Sequence, residues 1–285
     1  MVTIDDYTSN VPVTWCPGCG NFGILQALKE GLVALDIEPH QLLLVSGIGQ
    51  GPKLPHYMQG NVFNGLHGRT LPVATGAKIA NHELTVIGID GDGGAYGEGI
   101  GHLLASIRRN VNITYLVHNN QVYGLTKGQA SPTSDPGFIT RTTPMGAGQP
   151  LNPVALAIAS GAGFIGRGFA GDTDYLSGII QEGIKYKGFA LIDILQPCVS
   201  FNTKNTFQWY KDRVYRLDED SSYDQKDRSK AFEKSTEWID RIPTGIIYRE
   251  EKPVYEEQLP ALENGVLVNQ PLEPTKFSGL IDEFM

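Results

Sequence analysis

Two short stretches of this sequence carry residue types that hold a metal–phosphate pair. Gly91-Asp92-Gly93-Gly94 follows the apolar run TVIGID, and Asn119-Asn120 follows the apolar run ITYLVH. Asp92 supplies an anionic oxygen, Asn120 a neutral carbonyl oxygen, and the main-chain carbonyl of Val122 a third protein ligand. Magnesium takes such hard oxygens and completes its octahedron from water and phosphates. Glycines at 91, 93 and 94 let backbone N–H groups approach the phosphates where a helix begins. A lone Gly-Asp-Gly is also an ordinary strand-end turn, so the weight falls on the pairing. Residues 94 to 118 are enough for one helix and one strand, which brings two parallel strand ends side by side. A dinucleotide fingerprint fits worse, because GDGGAYG is not G-x-G-x-x-G and no clear ribose-binding acid follows. The second reactive group is sulfur. Cys16 and Cys19 form a C-x-x-C, and Cys198 is the third cysteine of three. Zinc would need two further ligands that no C-x-x-C or H-x-x-x-H pair supplies. A thioredoxin-like pair is disfavoured because the motif precedes the first strong strand.

The elements that must position these residues alternate along the chain. Strands are predicted at Leu42–Ser46, Thr85–Asp90, Ile113–His118, Gly163–Arg167 and Phe189–Leu195. Several are apolar on both faces, as buried parallel strands are. Helices are predicted over Gly20–Asp36, Leu71–His82, Glu98–Arg109, Leu151–Gly161 and Asp172–Lys187, with Asp172 and Thr173 as N-cap residues of the last. This order predicts an α/β fold with a doubly wound, mostly parallel sheet and ligands at the carboxyl ends of its strands. That domain is expected to span 1–199. Residues 200–285 are charged, aromatic and poorly periodic, and read as a C-terminal extension packing on the domain or on a partner subunit. Phe201, Phe207, Trp209, Tyr210 and Trp238 argue against disorder there.

Bulk properties exclude several classes. The 285 residues are 41% hydrophobic, which supports a core of full size. The net charge of −8 leaves no basic face for nucleic acid. No run approaches the ~18 to 20 apolar residues of a membrane span. MVTIDDYTSN lacks the basic and apolar regions of a secretory signal, and an odd number of cysteines does not make a disulfide framework. A cytoplasmic protein without membrane or nucleic-acid partners is expected.

The pairing of GDG with NN resembles the diphosphate-binding motif of thiamine diphosphate enzymes. With TWCPGCGNFGIL, VSGIGQGPKLPHY, GLHGRTLPVATGAKIAN and DILQPCVSFNTKNTFQWY in the same order, residues 10–215 strongly resemble the β subunit of two-subunit 2-oxoacid:ferredoxin oxidoreductases. The resemblance implies a thiamine diphosphate-binding fold and a reversible reaction. A 2-oxoacid, 2-oxoglutarate or pyruvate, loses carbon dioxide on the cofactor, its acyl group passes to coenzyme A, and electrons leave through iron–sulfur clusters to ferredoxin. It also implies roles. Gly91, Asp92, Gly93, Gly94, Asn120 and Val122 hold magnesium and diphosphate, with Gly124, Leu125 and Thr126 beside them. Ser46, Ile48 and Lys53 lie in the loop region after the first strand, around cofactor and substrate. His67 and Arg69 lie near the diphosphate or substrate, and Lys127 serves coenzyme A phosphates or the substrate. The plainer readings are a loop histidine bonded to backbone for His67 and a solvated lysine for Lys127.

The resemblance places a [4Fe–4S] cluster on four cysteines. Cys16, Cys19 and Cys198 match three; at the fourth place, where the family reads G-I-G-C, this chain reads Gly47-Ile48-Gly49-Gln50. Thiolates are the usual ligands and glutamine is a poor one. Three outcomes follow. Three cysteines hold a cluster whose fourth iron sits on Gln50, His56 or water, or is lost to leave [3Fe–4S]. Otherwise a partner supplies a ligand, or the cluster is gone and the cysteines are small buried residues. The glutamate that activates thiamine comes, by the same resemblance, from a separate domain, so the chain is expected to be inactive without an α subunit in an αβ or (αβ)₂ assembly. The rivals are half of a non-oxidative thiamine-dependent decarboxylase and a scaffold that keeps the fold.

Overall fold

The computed structural model describes residues 1–271. The part of the expected C-terminal extension beyond 271 lies outside the described residues. Ten strands form: β1 (Leu42–Ser46), β2 (Asn61–Asn64), β3 (Thr85–Gly91), β4 (Ile113–Asn119), β5 (Val122–Tyr123), β6 (Gln129–Ala130), β7 (Phe164–Phe169), β8 (Phe189–Leu195), β9 (Val214–Arg216) and β10 (Ile242–Arg249). Eight of them make one sheet in the order β2-β1-β3-β4-β8-β7-β10-β9, and β5 and β6 form a separate small hairpin. Every pairing from β2 to β7 is parallel, while β10 runs antiparallel to β7.

The strands bury both faces. In β8, Ala190, Ile192 and Ile194 pack with Ile24, Leu28 and Leu32 of α1 (Asn21–Ala34), while Phe189 and Leu191 join the core on the other face. That second face is covered by α2 (Thr70–Ala80), α3 (Ile100–Arg109) and α4 (Pro153–Ala159), through residues such as Leu71, Leu103 and Val154. A helical layer on each face of a mostly parallel sheet is the doubly wound arrangement. α5 (Thr173–Lys185) packs beside α1. Residues 200–271 pack on this sheet and contribute α6 (Phe207–Lys211), α7 (Arg228–Ser235) and the two strands at its far edge.

Three expectations shift. No regular helix begins at Glu98. Gly93–Glu98 winds as a π-helical turn, and α3 starts at Ile100; such turns are rare and cluster at functional sites. Asp172 stands at the N-cap of α5 but its side chain makes no cap bond there. Its carboxylate instead takes Arg216, Nη2 to Oδ2 at 2.8 Å, because an arginine fork from the C-terminal segment outcompetes the local amide. The strand expected at Gly163–Arg167 runs from Phe164 to Phe169.

Candidate functional site

Gly91 at the end of β3 lies opposite His118 near the end of β4, so the two motif-bearing loops leave the sheet next to one another. The loop after β1 joins them. Together they enclose a cavity of about 280 Å³ lined by Ile48–Gly51, His67, Gly91–Gly94, Asn120 and Val122–Thr126. The glycines there are required by space. A Cβ on Gly94 would stand 2.1 Å from Asp90 Oδ1, and one on Gly93 would stand 2.1 Å from the Tyr123 ring. At Gly91, by contrast, an added Cβ would meet no protein atom nearer than 4.0 Å. A larger open groove of about 690 Å³ lies beside α5, but Asp174, Glu182, Asp218, Asp220 and Asp224 line it. That wall would repel a diphosphate.

Asp92 is buried at the floor of the cavity, and its Oδ2 accepts hydrogen bonds from the Ser131 hydroxyl and from Thr133 Oγ1 at 2.7 Å. Burial pushes its carboxyl up to about 6, against the hydroxyl bonds that pull it down. Among the described residues no cationic side chain pairs with it. Thr133 has one proton and two acceptors in reach, Asp92 Oδ2 and, at 2.8 Å, Asn119 Oδ1. Asn119 in turn donates to Asp193 Oδ1 at 3.0 Å, as does Tyr96 at 2.9 Å, and Arg167 Nε stands 3.5 Å from Asp193 Oδ2. The acid is thereby tied to a buried ion pair between β7 and β8. Asn120 is oriented by its own loop: its Oδ1 accepts from Val122 N at 3.0 Å.

At the mouth, His67 Nδ1 lies 2.9 Å from the Ile48 carbonyl and Nε2 lies 2.9 Å from Glu98 Oε2. Both ring nitrogens face acceptor oxygens, which fixes the plane of the ring at the cavity mouth. Tyr123 also reaches Glu98, 3.4 Å from each carboxylate oxygen. Four other residues singled out from the sequence do not line the cavity. Ser46 is buried and accepts from Asn64 Nδ2 at 2.9 Å; Lys53 sits on the 3₁₀ turn Gly51–Tyr57. Arg69 is exposed and contacts His102, and Lys127 is exposed with a left-handed φ of 73°. Ile48, His67, Gly91, Asp92, Gly93, Gly94, Asn120, Val122, Gly124, Leu125 and Thr126 are brought together.

Cys16, Cys19 and Cys198 line a second, smaller pocket of about 50 Å³ with Asn21, Gln50, Gln196 and Ser200. Gln50, Asn120 and Gly124 belong to both pockets. Ser200 Oγ donates to Cys16 Sγ at 3.0 Å and Gln196 Nε2 to Cys19 Sγ at 3.5 Å. All three cysteines are free, and burial pushes the Cys19 thiol up to about 11, with Cys198 and Cys16 nearby adding to the rise. Three buried amide atoms in this pocket have no hydrogen-bond partner: Asn21 Nδ2, Gln50 Oε1 and Gln196 Oε1. His56 is exposed and does not line the pocket. Among the described residues no group of three or more His, Cys, Asp or Glu side chains could hold a metal ion. No helix among them is long and apolar enough to cross a membrane.

Residues 47–194 match the family described as the C-terminal TPP-binding domain of thiamine pyrophosphate enzymes, and residues 198–264 match the C-terminal region of the pyruvate ferredoxin oxidoreductase β subunit. The chain is 46% identical to the 2-oxoacid:ferredoxin oxidoreductase β subunit of Saccharolobus solfataricus, over 90% of this chain and 88% of that protein. It is 44% identical to the β subunit of 2-oxoacid:ferredoxin oxidoreductase 1 from Aeropyrum pernix, over 90% and 84%. The structure superposes with a TM-score of 0.91 on the 2-oxoglutarate:ferredoxin oxidoreductase of Magnetococcus marinus, solved with 2-oxoglutarate, coenzyme A and succinyl-CoA bound; the match covers 98% of this chain and 95% of that one at 33% identity. The chain is therefore a member of the 2-oxoacid:ferredoxin oxidoreductase β-subunit family, and it carries that family's thiamine diphosphate-binding domain.

Proposed function

We propose that this chain, paired with an α subunit, catalyses the coenzyme A-dependent oxidative decarboxylation of a 2-oxoacid and delivers two electrons to ferredoxin. The observation that carries the reading is the shared wall: a glycine-lined cavity with hard oxygen donors abuts a pocket of three cysteines. Thiamine diphosphate, when bound, supplies the electron sink that lets the carboxylate leave. The chain's own residues bind and orient it. Asp92, Asn120 and the Val122 carbonyl would hold magnesium, and the fit rests on a buried carboxylate that no cationic side chain among the described residues neutralises. His67, held between the Ile48 carbonyl and the Glu98 carboxylate, faces the diphosphate at the mouth. The cysteines hold an iron–sulfur cluster. Two of the three sulfurs accept hydrogen bonds, from Gln196 and Ser200, donors that would also serve cluster-bound sulfur. The spacing that suits no single ion is compatible with this, because thiolates around a cubane stand farther apart than ligands around one metal.

The test is reduction of ferredoxin by a 2-oxoacid and coenzyme A, using the αβ complex prepared without oxygen. Full activity requires thiamine diphosphate and Cys16. Carbon dioxide release unaffected by Cys16→Ala and without ferredoxin reduction would instead mean a non-oxidative decarboxylase.

A further inference from the structure

Gln50 is held in place from two sides. Its main-chain carbonyl accepts from Trp15 Nε1 at 2.8 Å, and the Trp15 ring is wedged edge-on between Phe22 and Tyr57, with centroids 5.4 and 4.8 Å away. The next residue, Gly51, lies against His118 so closely that a Cβ would stand 2.8 Å from that side chain. The Gln50 backbone therefore has no freedom to withdraw. Its side chain lines the cysteine pocket, and Oε1 is buried with no donor. A buried carbonyl oxygen without a partner has lost its hydration and gained nothing in return. Gln196 Nε2 is committed to Cys19 Sγ and the Pro197 carbonyl and the Ser200 hydroxyl to Cys16 Sγ, while Asn21 Nδ2, a donor of the same pocket that is itself without a partner, makes no hydrogen bond to it.

We infer that Gln50 occupies the fourth corner of the cysteine pocket, so that three thiolates grip the cluster and its fourth iron is exchangeable. The inference rests on the iron–sulfur reading above. A carboxamide oxygen is neutral and harder than a thiolate, so it holds a sulfide-bound iron weakly. The fourth iron leaves as Fe²⁺, turning [4Fe–4S]²⁺ into [3Fe–4S]⁰. A one-electron oxidant such as ferricyanide takes the three-iron cluster to [3Fe–4S]⁺ and is itself reduced to ferrocyanide. Added ferrous iron and a reductant reverse both steps.

The experiment compares four forms of the αβ complex, prepared without oxygen: wild type, Gln50→Cys, Gln50→Glu and Cys16→Ala. Iron, sulfide and electron paramagnetic resonance are followed through a ferricyanide titration and after return of ferrous iron. Subtracting Cys16→Ala removes any α-subunit clusters. The expected result is a Cys16-dependent three-iron signal in wild type that disappears on adding ferrous iron and reductant. Iron loss from Gln50→Cys should be slower by about tenfold or more. Gln50→Glu, which keeps the shape and adds a charge, should fall between them and serves if the cysteine variant does not fold. Equal rates of iron loss in wild type and in both Gln50 variants would overturn the assignment while leaving the cluster in place. Absence of any Cys16-dependent iron in wild type would overturn the iron–sulfur reading, and this inference with it.

Discussion

In the glycine-lined cavity the buried acid itself is hydrogen-bonded within the protein, although the Arg167–Asp193 pair behind it keeps unpartnered atoms, whereas three residues lining the cysteine pocket across the shared wall carry amide atoms without partners. Asp92 is braced by Ser131 and Thr133, and behind them by Asn119 and Asp193. Asn21, Gln50 and Gln196, which line the cysteine pocket, each carry a buried amide atom without a partner. The first site is preformed and should keep its shape when empty. The second depends on its occupant, because buried amides without partners are destabilising until something fills the pocket.

The largest effect should come from the acid. Asp92→Asn removes the anionic ligand and should weaken magnesium-dependent thiamine diphosphate binding by about 100-fold or more, read by calorimetry on the complex. The same change should raise the melting temperature of the metal-free protein above pH 6. The sign follows from burial. The folded carboxyl titrates near 6, above its ordinary value of 3.8, so the native state binds the extra proton between those values. The penalty of the buried charge is fully present above about pH 6. A melting temperature that falls instead would show that the floor is not preformed.

Next comes the occupant of the sulfur side. On the proposed iron–sulfur reading, stripping iron from the complex should lower its melting temperature by roughly 5 to 10 °C, from about 1 kcal/mol per newly unpartnered amide. Removing magnesium and thiamine diphosphate should lower it less. The reverse order would break the contrast between the two pockets.

A smaller effect sharpens it. Thr133→Val removes one of two hydroxyls on Asp92 Oδ2 and should raise the magnesium requirement about tenfold, with Thr133→Ser restoring it. A merely structural role would lower stability and leave the magnesium requirement unchanged.

Much of this architecture was legible in the chain, and the failures have physical causes. β1 and β8 appear at their predicted residues because LLLVS and FALIDIL are apolar on both faces and need no tertiary contact to be read. The pairing of GDG with NN was legible because strand-end spacing is local to one strand–helix–strand unit. The supports of the site were not. Ser131 and Thr133 lie about forty residues from Asp92 along the chain, and nothing in SPTS announces which carboxylate it will hold. Glu98 is a partner of His67 only because the π-turn after Gly93 swings it to the cavity mouth. Lys53, Arg69 and Lys127 were assigned from the family resemblance; they do not line this cavity, and side-chain direction in a loop depends on backbone torsions, such as the left-handed φ at Lys127, that a motif does not encode.

The wall of Gln50, Asn120 and Gly124 has an evolutionary consequence. Residues that face two sites at once cannot be adapted to one without being tested by the other. Changes at 50, 120 and 124 should therefore be pleiotropic, altering cofactor binding and sulfur-site chemistry together, while positions facing one pocket vary independently.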